Sequence, residues 1–139
     1  MTGAPIKLYT PEVLALATQL ARWPIDPAMP LQGRARSQSC GSVLAMSLAL
    51  DDAGAIQRIG LSTQACAIGQ ASAAIFADQA TGKTRTEVAG ALAALDAWLK
   101  GERSLPEWPG LSTIAAAKDY PARHGAVLLP WKSALDALP

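Results

Sequence analysis

Apolar positions recur at helical spacing directly after a strong helix start near the beginning of the chain. Thr10 is a typical N-cap residue, and Pro11 and Glu12 suit the first turn of a helix. The apolar face predicted behind this start consists of Val13, Leu14, Leu16, Ala17, Leu20 and Ala21. Trp23 and Pro24 end the helix, and the proline-rich stretch 24–30 predicts an extended connector.

The next part of the chain changes to the alternating pattern of a β-sheet. Residues 33–39 are polar and alternate, which predicts an edge strand, and residues 43–50 form a more apolar second strand. The acidic, glycine-containing stretch 51–54 predicts a turn, and residues 56–63 alternate again. We therefore expect a three-stranded antiparallel meander over residues 33–63.

Helical periodicity returns after Cys66 and continues to the end of the chain. Residues 67–81 form an alanine-rich helix that ends at Gly82, and residues 84–100 form a helix that ends at Gly101. A short helix is predicted at 112–118, and residues 122–138 are apolar enough for a packed C-terminal helix.

This order of elements, with strands first and helices afterwards, predicts an α+β fold because it lacks the βαβ alternation of a parallel sheet. The 139 residues are long enough to bury a core, and we expect one domain, 1–139. Its helices, including those at both termini, should pack on one face of the small antiparallel three-stranded sheet.

Composition and charge exclude several classes of function. The net charge is +1, and the 12 basic residues are scattered, so nothing indicates nucleic acid binding. No apolar run approaches the roughly 20 residues that cross a membrane. Residues 1–5 lack the charged and apolar regions of a signal peptide, which predicts a cytoplasmic location. There Cys40 and Cys66 should be reduced thiols, and their spacing is neither a zinc-finger signature nor a disulfide framework.

Three stretches, in this order and spacing, resemble the U-type family of iron–sulfur cluster scaffold proteins, which includes the NifU N-terminal domain, IscU and SufU. The first is Ser-Cys-Gly-Ser-Val at 39–43, which resembles the family's Cys-Gly-Asp loop. The second is the small-residue segment 64–73 around Cys66, followed by Thr-Gly-Lys-Thr at 81–84. The third is Tyr-Pro-Ala-Arg at 120–123 with Trp-Lys-Ser-Ala-Leu at 131–135. This third stretch and the insertion at 101–120 resemble the SufU branch most.

The resemblance implies a site that holds an iron–sulfur cluster or zinc on three cysteines and one aspartate. Cys40 and Cys66 stand at two of the cysteine positions. Ser42 stands at the aspartate position, and Ala126 stands at the third cysteine position. The ligand set is therefore incomplete, and we expect metal binding by the isolated protein to be weak.

The missing ligands leave three readings open. His124, two residues before Ala126, could supply a third ligand, although the pattern favours an exposed side chain beside Arg123. A homodimer could bring two Cys40 and Cys66 pairs together, or metal binding could be lost. Without metal, Cys66 at a helix N-terminus could be a reactive thiolate that accepts sulfur from a cysteine desulfurase, or simply a buried small side chain.

The function that these observations favour is a scaffold or sulfur acceptor in iron–sulfur cluster assembly, rather than a turnover enzyme. Its partners would be a cysteine desulfurase or other cluster-assembly proteins. The alternative is a metal-free interaction or regulatory protein on the same frame. For either function, the resemblance implies that the Cys40 loop, the start of the Cys66 helix and the segment 123–126 converge at one end of the molecule.

Overall fold

The computed structural model describes residues 8–139, so residues 1–5, on which the cytoplasmic prediction depends, lie outside it. The first helix, α1, spans Pro11–Thr18 and continues as a 3-10 turn at Gln19–Arg22. Thr10 caps it as predicted, because its hydroxyl accepts a hydrogen bond from the Val13 N–H. The predicted apolar face is too wide: α1 buries Val13, whereas Leu14 is 50% exposed. Only one side of this short helix reaches the rest of the molecule.

The predicted antiparallel meander is confirmed, with strands in the order β1, β2, β3. Strand β1 spans Leu31–Arg36, β2 spans Val43–Leu50 and β3 spans Ile56–Gln64. The first strand ends earlier than the predicted 39, because the chain turns there. The Ser37 N–H donates to the Ser42 carbonyl, and the Gly41 N–H donates back to the Ser37 carbonyl.

The later helices also form near their predicted positions. Helix α2 spans Ala67–Ala80, and α3 spans Arg85–Leu99 behind a capping box formed by Thr84 and Glu87. The predicted short helix at 112–118 is a 3-10 segment, Leu111–Asp119, and not an α-helix. After a second 3-10 turn, α4 spans His124–Ala137 and continues through Pro130. No helix within residues 8–139 is long and apolar enough to span a bilayer.

The helices cover one face of the sheet, which confirms the predicted α+β arrangement. Leu44, Met46 and Leu48 of β2 point from the middle strand into the core and are fully buried. Helix α4 crosses β1 and β2, and α2 lies between α4 and α1. Two buried serine hydroxyls join these layers: Ser133 donates to the Leu44 carbonyl at 2.7 Å, and Ser72 donates to the Val127 carbonyl at 2.6 Å.

Close contact between β1 and α4 depends on the absence of a side chain at Gly33. A Cβ atom there would lie 2.5 Å from the Ser133 carbonyl oxygen and 2.5 Å from the Ala137 nitrogen. Both are backbone atoms of α4, so the whole helix would have to move. The edge of the sheet is also joined to α4 by Asp136, whose carboxylate accepts the Arg34 N–H at 2.9 Å.

We expect Gly33→Ala to lower the free energy of unfolding by about 1–3 kcal/mol, the usual range for overpacking a close contact. Gly90→Ala is the matched control, because a Cβ at Gly90 in α3 would meet no atom within 4 Å. It should raise the free energy of unfolding by roughly 0.5–1 kcal/mol, since alanine favours a helix. Urea denaturation measures both, and an unchanged stability in Gly33→Ala would contradict the packing of α4 on β1.

Candidate functional site

Cys40 lies in the turn between β1 and β2, surrounded by serine hydroxyls. Its Sγ is 3.3 Å from the Oγ of Ser37 and 3.1 Å from the Oγ of Ser42. Both serines are buried, while Cys40 itself is partly exposed. A hydroxyl can rotate to donate or accept, so both serines can donate to the sulfur when it is a thiolate. The residue at the expected aspartate position therefore contributes a neutral hydrogen-bond donor next to the sulfur.

Cys66 is the N-cap residue of α2. Its backbone is extended, with φ −65° and ψ 169°, and its side chain makes no capping hydrogen bond to the helix. The sulfur is partly exposed and unoxidised, as is that of Cys40. The unpaired N–H groups of the first turn and the helix dipole favour negative charge at this position. The predicted position of Cys66 at a helix start is confirmed.

The segment that leads into α4 lies directly against the Cys40 loop. The Ser39 hydroxyl donates to the Ala122 carbonyl at 3.3 Å. Gly125 faces Ser37 so closely that a side chain at Gly125 would collide with the Ser37 hydroxyl. A glycine at this position therefore lets the start of α4 approach the serine-lined turn.

The same segment also touches the start of the Cys66 helix. A Cβ atom placed on Gly69, in the first turn of α2, would lie 3.5 Å from the Cβ of Ala126. Ala126 is fully buried there. The structure thus brings together the three segments that carry Cys40, Cys66 and the 123–126 stretch, at the end of the sheet where β1 turns into β2.

Arg123 adds a positive charge at this junction. Its Nε donates a hydrogen bond of 3.1 Å to the hydroxyl of Tyr9. The hydrogen bond to Tyr9 and the charge interaction with Tyr9 raise the pKa of the guanidinium above its ordinary value, and charge interactions with Cys66 and Cys40 act in the same direction. Arg123 is thus a permanent cation in the segment that contacts both the Cys40 loop and the start of α2.

The surroundings of Cys40 stabilise its thiolate. Partial burial acts to raise the pKa of Cys40, but the hydroxyls of Ser37 and Ser42 and the Ser42 backbone N–H lower it. The positive charge of Arg123 acts in the same direction. The net result is a pKa of Cys40 below the ordinary value of a cysteine thiol.

His124 points to a backbone carbonyl instead of the sulfurs. Its Nε2 lies 2.8 Å from the carbonyl oxygen of Lys118, and since a carbonyl only accepts, Nε2 carries the proton. Within residues 8–139, no three His, Cys, Asp or Glu side chains come together as a metal-binding group. A ligand role for His124 stays a prediction, and with Nε2 bonded to the Lys118 carbonyl it would fall to Nδ1.

Three residues at this site were not assigned a role from the sequence. Tyr9 carries no sequence signal, because its contact with Arg123 joins segments far apart in the chain. Ser37 lies only three residues before Cys40, but it was included in the predicted edge strand. Arg123 had a signal, since it is part of the Pro-Ala-Arg stretch on which the resemblance was based. That pattern, however, does not indicate the hydrogen bond to Tyr9.

Comparisons with known proteins agree with this arrangement. The model of the NifU-like N-terminal domain matches residues 20–125. The chain is 24% identical over 133 residues to the iron–sulfur cluster assembly scaffold protein IscU of Thermotoga maritima, covering 94% of this chain and 92% of that protein. Among solved structures, the N-terminal part of a nitrogen-fixing NifU-like protein from Brucella abortus superposes with a TM-score of 0.86 and 26% identity, covering 96% of this chain and 94% of that one.

A second solved structure has the same fold at lower identity. It is a protein from Fervidobacterium islandicum assigned as the iron–sulfur cluster assembly scaffold of the SUF system. Its TM-score is 0.84 at 22% identity, and the alignment covers 95% of this chain and 97% of that one. The family match extends over the sheet, α2, α3 and the start of α4. The chain therefore belongs to the NifU-like N-terminal domain family.

Proposed function

We propose that the chain acts in iron–sulfur cluster assembly as an IscU- or SufU-like scaffold or sulfur acceptor, through Cys40 and Cys66. The observation that carries this proposal is the meeting of the Cys40 loop, the first turn of α2 and the start of α4 at one end of the sheet. A cluster would be cargo that such a protein holds and passes on, so no turnover chemistry of its own is needed. A metal-free regulatory role has less support, because the named relative is a scaffold.

The residues present do not complete a metal site. A zinc ion or a [2Fe–2S] cluster is normally held by four protein ligands, mostly thiolates. Cys40 and Cys66 supply two thiolates, while Ser42 supplies only a hydroxyl that already contacts Cys40. Ala126 supplies a methyl group. Further ligands would have to come from His124 after a rearrangement, from a second copy of the chain, or from a partner protein.

Sulfur acceptance needs only the thiols. In this step, the thiolate of Cys40 or Cys66 attacks the outer sulfur of a persulfide carried on a cysteine of the donor protein. The donor's S–S bond breaks, its cysteine leaves as a thiolate, and the accepting cysteine now carries the persulfide. Electrons and atoms balance without another oxidant or reductant. The donor is proposed to be a cysteine desulfurase, and a cytoplasmic location belongs to the same proposal.

The incomplete ligand set predicts a protein that purifies largely without metal. Changing Ser42→Asp and Ala126→Cys together returns an anionic oxygen and a thiolate to the site. We expect this double variant to gain zinc or cluster binding, because added anionic ligands compensate the charge of the metal. The measurement is metal content per chain, before and after anaerobic addition of iron and sulfide.

A matched control for that experiment is Thr86→Asp with Ala89→Cys, which adds the same side chains at the start of α3. That position lies at the opposite end of α4 from His124, where Arg85 donates to the Leu138 carbonyl. The control should gain no metal. Tightly held metal near one per chain in the unchanged protein would contradict the proposal of a reduced site, and it would indicate a His124 or dimeric site instead.

Thiol reactivity provides a separate prediction for Cys40. In a Cys66→Ser background, alkylation of Cys40 by iodoacetamide should follow an apparent pKa below the ordinary cysteine value, because only the thiolate reacts. Ser37→Ala removes one hydrogen-bond donor to the sulfur, so the apparent pKa of Cys40 should rise. The rate of Cys40 alkylation below that pKa should fall. Ser104→Ala is the control, since Ser104 is exposed after α3 and its side chain is not one of the hydroxyls at Cys40. Identical pH profiles for all three variants would contradict the hydroxyl contribution.

A further inference from the structure

We infer that Arg123, held in place by Tyr9, is the resident countercharge of the Cys40 and Cys66 sulfurs and makes this site favour anionic sulfur over a divalent metal ion. The preference against a divalent metal ion rests on the proposed function. The role of Arg123 as countercharge depends only on the geometry of the chain without metal.

The position of the guanidinium is set by contacts on both sides of it in the chain. On its N-terminal side, the Ala122 carbonyl accepts the Ser39 hydroxyl of the Cys40 loop. On its C-terminal side, Ala126 packs near Gly69 beside the start of the Cys66 helix. The backbone of Arg123 is therefore attached to both thiol-bearing segments.

The side chain itself is restrained by Tyr9. The 3.1 Å hydrogen bond uses the Nε–H of the guanidinium. The two terminal nitrogens keep their donors available, because an arginine side chain carries five N–H groups in a planar fork. No carboxylate within residues 8–139 forms an ion pair with Arg123. Its charge is therefore not neutralised by an acidic side chain and acts on the two sulfurs.

The charges at this junction determine whether the site favours a divalent metal ion or an anionic sulfur. Two thiolates already neutralise one divalent ion, and Ser42 and Ala126 add no further negative charge. With Arg123 beside them, a bound dication would leave the site with surplus positive charge. A thiolate or a persulfide has the opposite sign, so the same guanidinium stabilises it. Arg123 thus acts as a specificity-determining residue, without being a ligand itself.

Alkylation with reagents of different charge tests the countercharge directly. Iodoacetate is anionic and iodoacetamide is neutral, so the ratio of their rates reports the local potential at each thiol. We expect Arg123→Gln to lower this ratio at Cys40 and Cys66 by about threefold to tenfold at low salt, the effect of losing one nearby charge. Mass spectrometry measures both sites at one fixed pH.

Three controls separate charge from structure. Arg123→Lys keeps the charge, so its ratio of iodoacetate to iodoacetamide rates should stay within about twofold of that of the unchanged protein. Tyr9→Phe releases the guanidinium, so its rate ratio should fall between those of the unchanged protein and Arg123→Gln. Arg22→Gln removes a charge near Asp78, at the far end of α2 from Cys66, and should change nothing. High salt should reduce the ratio of the unchanged protein toward that of Arg123→Gln. Equal ratios for the unchanged protein and Arg123→Gln would overturn the inference.

Cobalt(II) titration tests the preference against metal, with thiolate-to-cobalt absorbance as the readout. In the Ser42→Asp, Ala126→Cys background, adding Arg123→Gln should tighten binding by about tenfold. If that background binds cobalt and Arg123→Gln leaves its affinity unchanged or weaker, the inference is wrong. If the background binds no cobalt at all, the proposed metal site is wrong, and the alkylation ratio still decides whether Arg123 is the countercharge.

Discussion

Helix α4 lies so close to β1 that Gly33 has no room for a side chain, and this contact sets where the start of α4 lies in the site. Gly33 leaves room for the α4 backbone at one end, and Gly125 leaves room for Ser37 at the other. Between them, Ser133 donates to a strand carbonyl that would otherwise lose a partner in the core. Because a packed helix moves as a unit, this contact carries the segment 121–126 to the Cys40 loop.

The Cys40 loop and the start of α2 provide the thiols with neutral and positive surroundings. Two buried hydroxyls face Cys40, and Arg123 is charge-coupled to both sulfurs. A site built on carboxylate and thiolate ligands gains affinity for metal from its negative charge. The Cys40 sulfur instead lies beside two hydroxyls, and these and the charge of Arg123 lower the pKa of its thiol.

Ser42 and Ala126, which stand where the resemblance implies ligands, fit the fold for a physical reason. Ala126 is fully buried against α2, so a methyl group fills the position and leaves no polar atom without a partner. Ser42 keeps its place by hydrogen bonding to Cys40. Neither side chain disturbs the packing, and the fold superposes on the Brucella abortus structure with a TM-score of 0.86.

The sequence by itself determined the elements and most of their ends, because caps, turns and hydrophobic periodicity are local. The start of α3 after Thr84 and the extent of β2 were predicted from neighbouring residues. Motif order also identified Cys40 and Cys66 as the candidate thiols. Only the tertiary structure decided that His124 faces Lys118, that Leu14 is exposed, and that Arg123 donates a hydrogen bond to Tyr9. Those outcomes depend on which distant segments pack together, and nothing in the local sequence encodes these contacts.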